Sequence, residues 1–191
     1  GRLQHYAKII KQENERLKTQ VERVLQLALF EEKSFDLNYK SVSITDLIKK
    51  VSQPYTLLLQ EKNGICTIDG EHLIVEVDEH HFSNAISNLI DNAIKYCNEK
   101  DSLIQIKITN LKKHVSIKVH DNGIGMEREE IKHIFKKFYR APTGNIHNVK
   151  GFGIGLSYVD QIIKMHSGSI KVSSKKNKGT TFEIILPKKQ V

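Results

Sequence analysis

Four short segments in a fixed order constrain this chain more than any other feature. Asn88-Leu89-Ile90-Asp91-Asn92-Ala93-Ile94-Lys95-Tyr96 comes first, then Asp121-Asn122-Gly123-Ile124-Gly125, then Phe135-Lys136-Lys137-Phe138, then Gly151-Phe152-Gly153-Ile154-Gly155-Leu156. In the first, Asn88, Asn92 and Lys95 recur at steps of four and three, so a helix places them on one face. The second follows a stretch that alternates like a strand, and its glycines let the backbone turn closely. The fourth puts a Gly-rich loop at the start of a helix, where N–H groups and the positive dipole end favour anions. No Lys-Ser/Thr follows those glycines, which excludes a P-loop, and the Rossmann context is absent. Each segment alone has a bland reading: solvated asparagines, a common turn, core aromatics, a loop. Their order and spacing together point to one site assembled from distant parts of the chain.

The rest of the chain supplies a framework. Residues 1–33 hold no Pro, and no Gly after Gly1. Leu3, Ala7, Ile10, Leu17, Val21, Val24 and Ala28 form a seam at alternating steps of four and three, with Asn14 interrupting it. This predicts one long helix whose apolar stripe needs a partner, either its own domain or, as we read the length of the seam, a second copy in a homodimer. From residue 34 the period changes. A short strand is expected over Phe35 to Ile44, then a helix capped by Ser43 or Thr45 and running to about Glu61, with Leu47, Ile48, Val51, Tyr55, Leu58 and Leu59 facing the core. Strands follow at Ile65 to Ile68 and Leu73 to Val77, and a helix capped by Asp78 runs from 79 to 97. Leu103 to Thr109 and Val115 to Val119 alternate as strands. Met126 to Phe138 reads as mostly helical, residues 139–150 as a mobile polar loop, and Gly153 to His166 as a helix. Ser169 to Ser173 and Thr180 to Leu186 close the chain as a hairpin. Because neighbouring strands join by short hairpins, the expected fold is a helix layer over a mixed sheet rather than a doubly wound parallel fold.

Composition removes several function classes. The chain has 191 residues, 39% hydrophobic and 27% charged, ordinary for a globular protein. No apolar run approaches the roughly 20 residues of a membrane span. The nine histidines are scattered, and the adjacent His80 and His81 point about 100° apart on a helix, which suits one metal ion poorly. Cys66 and Cys97 read as small apolar residues of a reducing compartment. The net charge of +8 raises nucleic acid as a partner. The lysines, however, are spread over every segment without an aromatic-basic stripe, so no nucleic acid is expected.

The four segments resemble the N, G1, F and G2 boxes of the sensor histidine kinases, within the superfamily that includes Hsp90, gyrase B and MutL. The resemblance covers nearly the whole chain. It implies a two-layer α/β sandwich (the Bergerat ATP-binding fold) over residues 34–191, and the second helix of a dimerisation and phosphoacceptor hairpin over 1–33. It implies ATP and Mg²⁺ as ligands, with Asn92 on the metal, Asn88 ordering the phosphate region and Tyr96 against adenine or ribose. Asp121 would take the adenine amino group, with Gly123 and Gly125 beside the base. Phe135 and Phe138 would anchor one end of a lid. Arg140 and Lys95 would meet phosphate oxygens, and Lys150, Gly151, Gly153, Gly155 and Leu156 would line the phosphate loop. The superfamily's hydrolases carry a glutamate where this chain has Asn88, and an amide has no useful basicity. This favours a kinase. The family's acceptor histidine lies in a box with an acid, Thr/Ser and Pro, none of which follows His5, so the acceptor is expected on a preceding helix outside this chain. The implied partners are a response-regulator receiver domain and a second protomer, and the implied setting is the cytoplasmic portion of a bacterial inner-membrane sensor. Two other readings stay open: an ATPase or serine kinase of the same superfamily, and a nucleotide-sensing scaffold.

Overall fold

The computed structural model describes residues 36–61, 63–97, 101–141 and 153–189, together with residues 6, 7, 9, 10, 13 and 14. The chain divides into two compact units, Gly1–Asp36 and Leu37–Val191. In the first, described residues 6, 7, 9, 10, 13 and 14 are helical, and Tyr6, Ile9 and Ile10 are exposed. The remainder of the predicted seam lies outside the described residues.

The second unit is a two-layer α/β sandwich. Its elements in order are β1 (Lys40–Ser43), α1 (Ile44–Gln60), β2 (Ile65–Gly70), β3 (Ile74–Val77), α2 (Glu79–Tyr96), β4 (Leu103–Asn110), β5 (His114–Asp121), α3 (Arg128–Ile131), α4 (Gly155–Met165), β6 (Ser169–Ser174) and β7 (Thr180–Pro187). Five strands form one sheet in the order β2-β4-β5-β7-β6. Only the β2–β4 pair is parallel. Strand alternation explains the two faces. Ile104, Ile106 and Ile108 of β4, Val115, Ile117 and Val119 of β5, and Phe182, Ile184 and Leu186 of β7 are buried. The register sets Ile106 beside Val119 and Val119 beside Phe182. Between them, Gln105, Lys107, Lys118 and Lys171 are exposed. Helices α1, α2 and α4 cover the apolar face with Leu47, Ile48, Phe82, Ile86, Leu89, Val159 and Ile163.

The helix starts follow local chemistry. Ser43 accepts the Asp46 N–H at the head of α1, and Asp78 accepts the His81 N–H at 3.0 Å at the head of α2. At the far end of α4, His166 is fully buried. Its Nδ1–H donates to the Ile162 carbonyl at 2.7 Å, and its Nε2 accepts the Asp78 N–H at 2.9 Å. A backbone amide can only donate, so the ring is held as the neutral Nδ1–H tautomer. This ring ties the end of α4 to the head of α2.

Three expectations need correction. β2 and β3 do not pair with each other: β3 pairs with β1 in a separate two-stranded ribbon, while β2 joins β4. The Asn-rich and Gly-rich turns signal chain reversals but say nothing of which edge a strand reaches. The stretch 126–138 is α-helical only over Arg128–Ile131. Beyond it, three-residue turns take over: His133 N–H to Glu130 O, Lys136 N–H to His133 O, Tyr139 N–H to Lys136 O. Leu58 is 41% exposed rather than in the core, while Leu59 beside it is buried.

Candidate nucleotide site

Contacts among the described residues join all four sequence segments. The α2 segment meets the Asp-Asn-Gly segment where the Ile124 N–H donates to the Tyr96 carbonyl at 3.0 Å. It meets the glycine loop where a Cβ on Gly155 would stand 2.7 Å from Asn88 Oδ1. The glycine loop meets the aromatic segment where the Phe138 N–H donates to the Gly153 carbonyl at 2.9 Å.

On α2, Asn88 donates through Nδ2 to the Asn84 carbonyl at 2.8 Å. That bond orients the amide and turns its oxygen to the first residue of α4. Asn92, one turn on, is half-buried, and its side chain has no hydrogen bond to any described residue. Lys95 Nζ is ion-paired with Asp91 Oδ2, four residues back. Burial pushes the Tyr96 phenol up; the Arg140 cation opposes this and the Asp91 carboxylate adds to it. Arg140, which is exposed, and Asp91 therefore both lie within electrostatic reach of Tyr96.

Asp121 ends β5 in the same inward row as Val115, Ile117 and Val119, and is 5% exposed. A carboxylate thus occupies a position where the strand otherwise presents core side chains. Burial raises its pKa, and hydrogen bonds from the Gly123 and Thr180 N–H groups and the His120 charge work against that rise. The Gly123 N–H bond is 2.9 Å long. A Cβ on Gly123 would collide with the Tyr96 carbonyl and stand 2.8 Å from Asp121 Oδ1, so only glycine lets this loop close on α2.

The two aromatics have different surroundings. Phe135 packs edge-on against Phe182 with ring centroids 6.4 Å apart. Phe138 is 65% exposed and adopts φ +63, a left-handed conformation uncommon for a bulky residue. Gly155 and Leu156 open α4, whose N-cap, Ile154, makes no side-chain cap. The first N–H groups of this helix are thus not satisfied by a capping side chain. Gly151 and Lys150 lie outside the described residues, as do residues 142–149 of the predicted loop.

Sequence reading missed three contributors. Asn122 accepts the Leu103 N–H at 3.0 Å and donates to the Asp101 carbonyl at 2.6 Å, holding the Asp121 loop to the start of β4. Thr180 reaches Asp121 only through the β5–β7 register. No local signal marks that pairing. Asp91 sits at the i, i+4 spacing from Lys95 that marks an ion pair, so its role was readable.

The fold and this ring of contacts define an ATPase-type nucleotide domain, and comparison with known proteins agrees. Residues 77–190 match the histidine kinase-, DNA gyrase B- and HSP90-like ATPases, and the chain belongs to that family. It is 41% identical over 187 residues to the sensor protein RprX of Bacteroides fragilis, which covers 96% of this chain and 36% of RprX. The catalytic domain of histidine kinase ThkA superposes with a TM-score of 0.70 at 26% identity, over 80% of this chain and 99% of that domain. ThkA in complex with the response regulator protein TrrA superposes with a TM-score of 0.72 at 26% identity, over 96% of this chain and 50% of that one. The chain thus carries a histidine-kinase ATP-binding catalytic domain, and it spans little more than a third of its curated relative RprX.

Proposed function

We propose that this chain is the catalytic part of a sensor histidine kinase, which binds Mg-ATP and delivers the terminal phosphoryl group to a histidine for onward transfer to a response-regulator aspartate. The observation that carries the kinase reading is Asn88. Its amide stands beside the start of α4 with Nδ2 tied to a helix carbonyl. No carboxylate takes its place there to activate water, so transfer depends on an acceptor that brings its own nucleophile.

In this reading Asp121 accepts the adenine amino hydrogens, and Tyr96 packs against the base or ribose. Lys95, Arg140, Lys150 and the glycines through Gly155 and Leu156 hold the phosphates. Catalysis is positioning and charge stabilisation. Among the described residues no group of three His, Cys, Asp or Glu side chains could cage a metal ion. Asn92, half-buried and without a described hydrogen-bond partner, fits an ion held by one amide oxygen, waters and substrate phosphates, as Mg²⁺ prefers. Bound there, Mg²⁺ would supply charge neutralisation at the phosphates.

Residues 1–33 would be the hairpin helix of a homodimer, and 34–191 the catalytic domain. The exposed Ile10, a seam residue, supports this. The likeness to ThkA in its complex with TrrA supports a receiver-domain partner. No described helix is long and apolar enough to cross a membrane; the proposal places this part on the cytoplasmic side of an inner-membrane sensor.

The test is transfer in trans. The chain is incubated with Mg²⁺ and γ-labelled ATP, with and without a two-helix acceptor hairpin from a histidine kinase. Acid-labile, base-stable label on the hairpin is expected, and Asn92→Ala and Asp121→Ala should each abolish it while leaving the domain folded. Rapid phosphate release without label on any histidine would replace this reading with an ATPase. ATP binding with neither label nor phosphate release would favour a scaffold.

A further inference from the structure

We propose that Asp91 is a positioning residue that holds Lys95 while the site is empty and must release it when a triphosphate binds. This rests on the phosphate-binding role given to Lys95 above. Asn88, Asp91, Asn92 and Lys95 fall within about a third of the helix circumference at 100° per residue. Asp91 and Glu79 are the only acids of α2, and Glu79 lies in its first turn. The only carboxylate that α2 itself places near this arc is therefore the one that grips the arc's lysine.

The surroundings make the grip specific. Lys95 and Asp91 side chains are 29% and 38% exposed, so the pair is partly shielded from solvent. The Asp91 carboxylate also reaches Tyr96 and, across the α1–α2 contact, Tyr55. Burial raises both phenols, and Asp91 raises them further. The Arg140 cation acts on Tyr96 in the opposite sense to Asp91. An arriving polyphosphate meets a lysine already neutralised and a like charge beside it. Binding must exchange one partner of Lys95 for another, and the returning carboxylate helps to expel the phosphate afterwards. Such a latch lowers affinity for phosphate-bearing nucleotides and leaves the base and ribose contacts untouched.

The experiment is a double-mutant cycle on the full chain. ATP and adenosine affinities are measured by calorimetry in EDTA, so that metal binding does not enter, for wild type, Asp91→Asn, Lys95→Ala and the double variant. Asp91→Asn should tighten ATP about two- to tenfold, the range set by a partly exposed ion pair plus a nearby like charge. Adenosine should be unchanged. In the Lys95→Ala background at least part of the gain should disappear. Asp91→Asn that weakens ATP, leaves it unchanged, tightens adenosine equally, or gives the same gain without Lys95 overturns the proposal. A repeat with Mg²⁺ guards against another role: a loss of Mg²⁺-dependent tightening in Asp91→Asn would make this carboxylate a metal ligand and overturn the latch. If the wild type binds neither ATP nor adenosine, it is the nucleotide site that fails.

Discussion

His166→Gln should flatten the acid side of this protein's stability curve. Burial lowers the pKa of both His166 and His81, against the raising influence of Asp78. An unfolded histidine takes up its proton near pH 6.5. As pH falls below that value, the unfolded chain binds protons that the folded rings refuse, so stability is full above it and is lost as pH falls towards the folded pKa values. For His166 the refusal is geometric as well as dielectric. A proton on Nε2 would set N–H against the Asp78 N–H. Each such ring contributes a slope of at most about 1.4 kcal/mol per pH unit, and two together about 2.7. Removing His166 should therefore take away its share of the slope and leave that of His81. Asp78 has a lowered pKa because its hydrogen bonds from His81 and Asn38 outweigh burial, and it loses stability only at lower pH. Asp121, raised by burial, acts in the opposite sense but is present in both proteins and cancels in the difference. The glutamine amide can accept from Asp78 N–H but fits less well, so a uniform loss of about 1–3 kcal/mol is expected at pH 8. The assay is urea unfolding at pH 8, 7, 6 and 5.5. Wild-type stability that is flat from pH 7 to 5.5, or a variant that keeps the full wild-type slope, refutes the reasoning.

Gly123→Ala should cost about tenfold or more in ATP affinity, because the added carbon strikes the Tyr96 carbonyl and displaces the bond from Ile124. Calorimetric titration reads it, and wild-type affinity would mean that the loop tolerates a side chain. Ile117→Ala, at the fully buried centre of the sheet between Ile108 and Ile184, should destabilise the domain by about 2–5 kcal/mol. A loss below about 1 kcal/mol in denaturant unfolding would show that the sheet face is not packed as described.

The parts of this fold that are local were legible. Ser43 and Asp78 cap their helices as residue type predicts, and the alternation of Ile104, Ile106 and Ile108 marks the buried face of β4. What failed to read is what depends on distant neighbours. Ile74 is half-exposed and Val75 and Val77 are buried because β3 lies beside β1, yet the sequence around β3 fits a hairpin with β2 equally well. The helix read over 126–138 is cut to one turn although its apolar residues have helical spacing. Its capping box, with Glu130 accepting the Glu127 N–H at 2.7 Å, is present. Tighter turns then carry Phe135 onto Phe182, a residue 47 positions later in sequence.

The same division separates motif residues that report architecture from those that report a ligand. Gly123 is required by the Tyr96 carbonyl, Gly125 by the carbonyls of Lys175 and Gly179, and Gly153 by the backbone of Phe138 and Tyr139, while Gly155 lies against the side-chain amide of Asn88. Each of these glycines is explained by a protein neighbour, so their spacing would persist in a domain that had lost its nucleotide. Asn88 is likewise accounted for by its bond to Asn84. Asn92 is different: no described hydrogen-bond partner accounts for its half-buried amide. Asp121 is different again, because a buried carboxylate that two backbone N–H groups only partly compensate is a cost to the fold. These two side chains, rather than the glycine pattern, are therefore the places where the proposed nucleotide and metal roles are best tested. They are also the positions at which a substitution separates loss of binding from loss of structure.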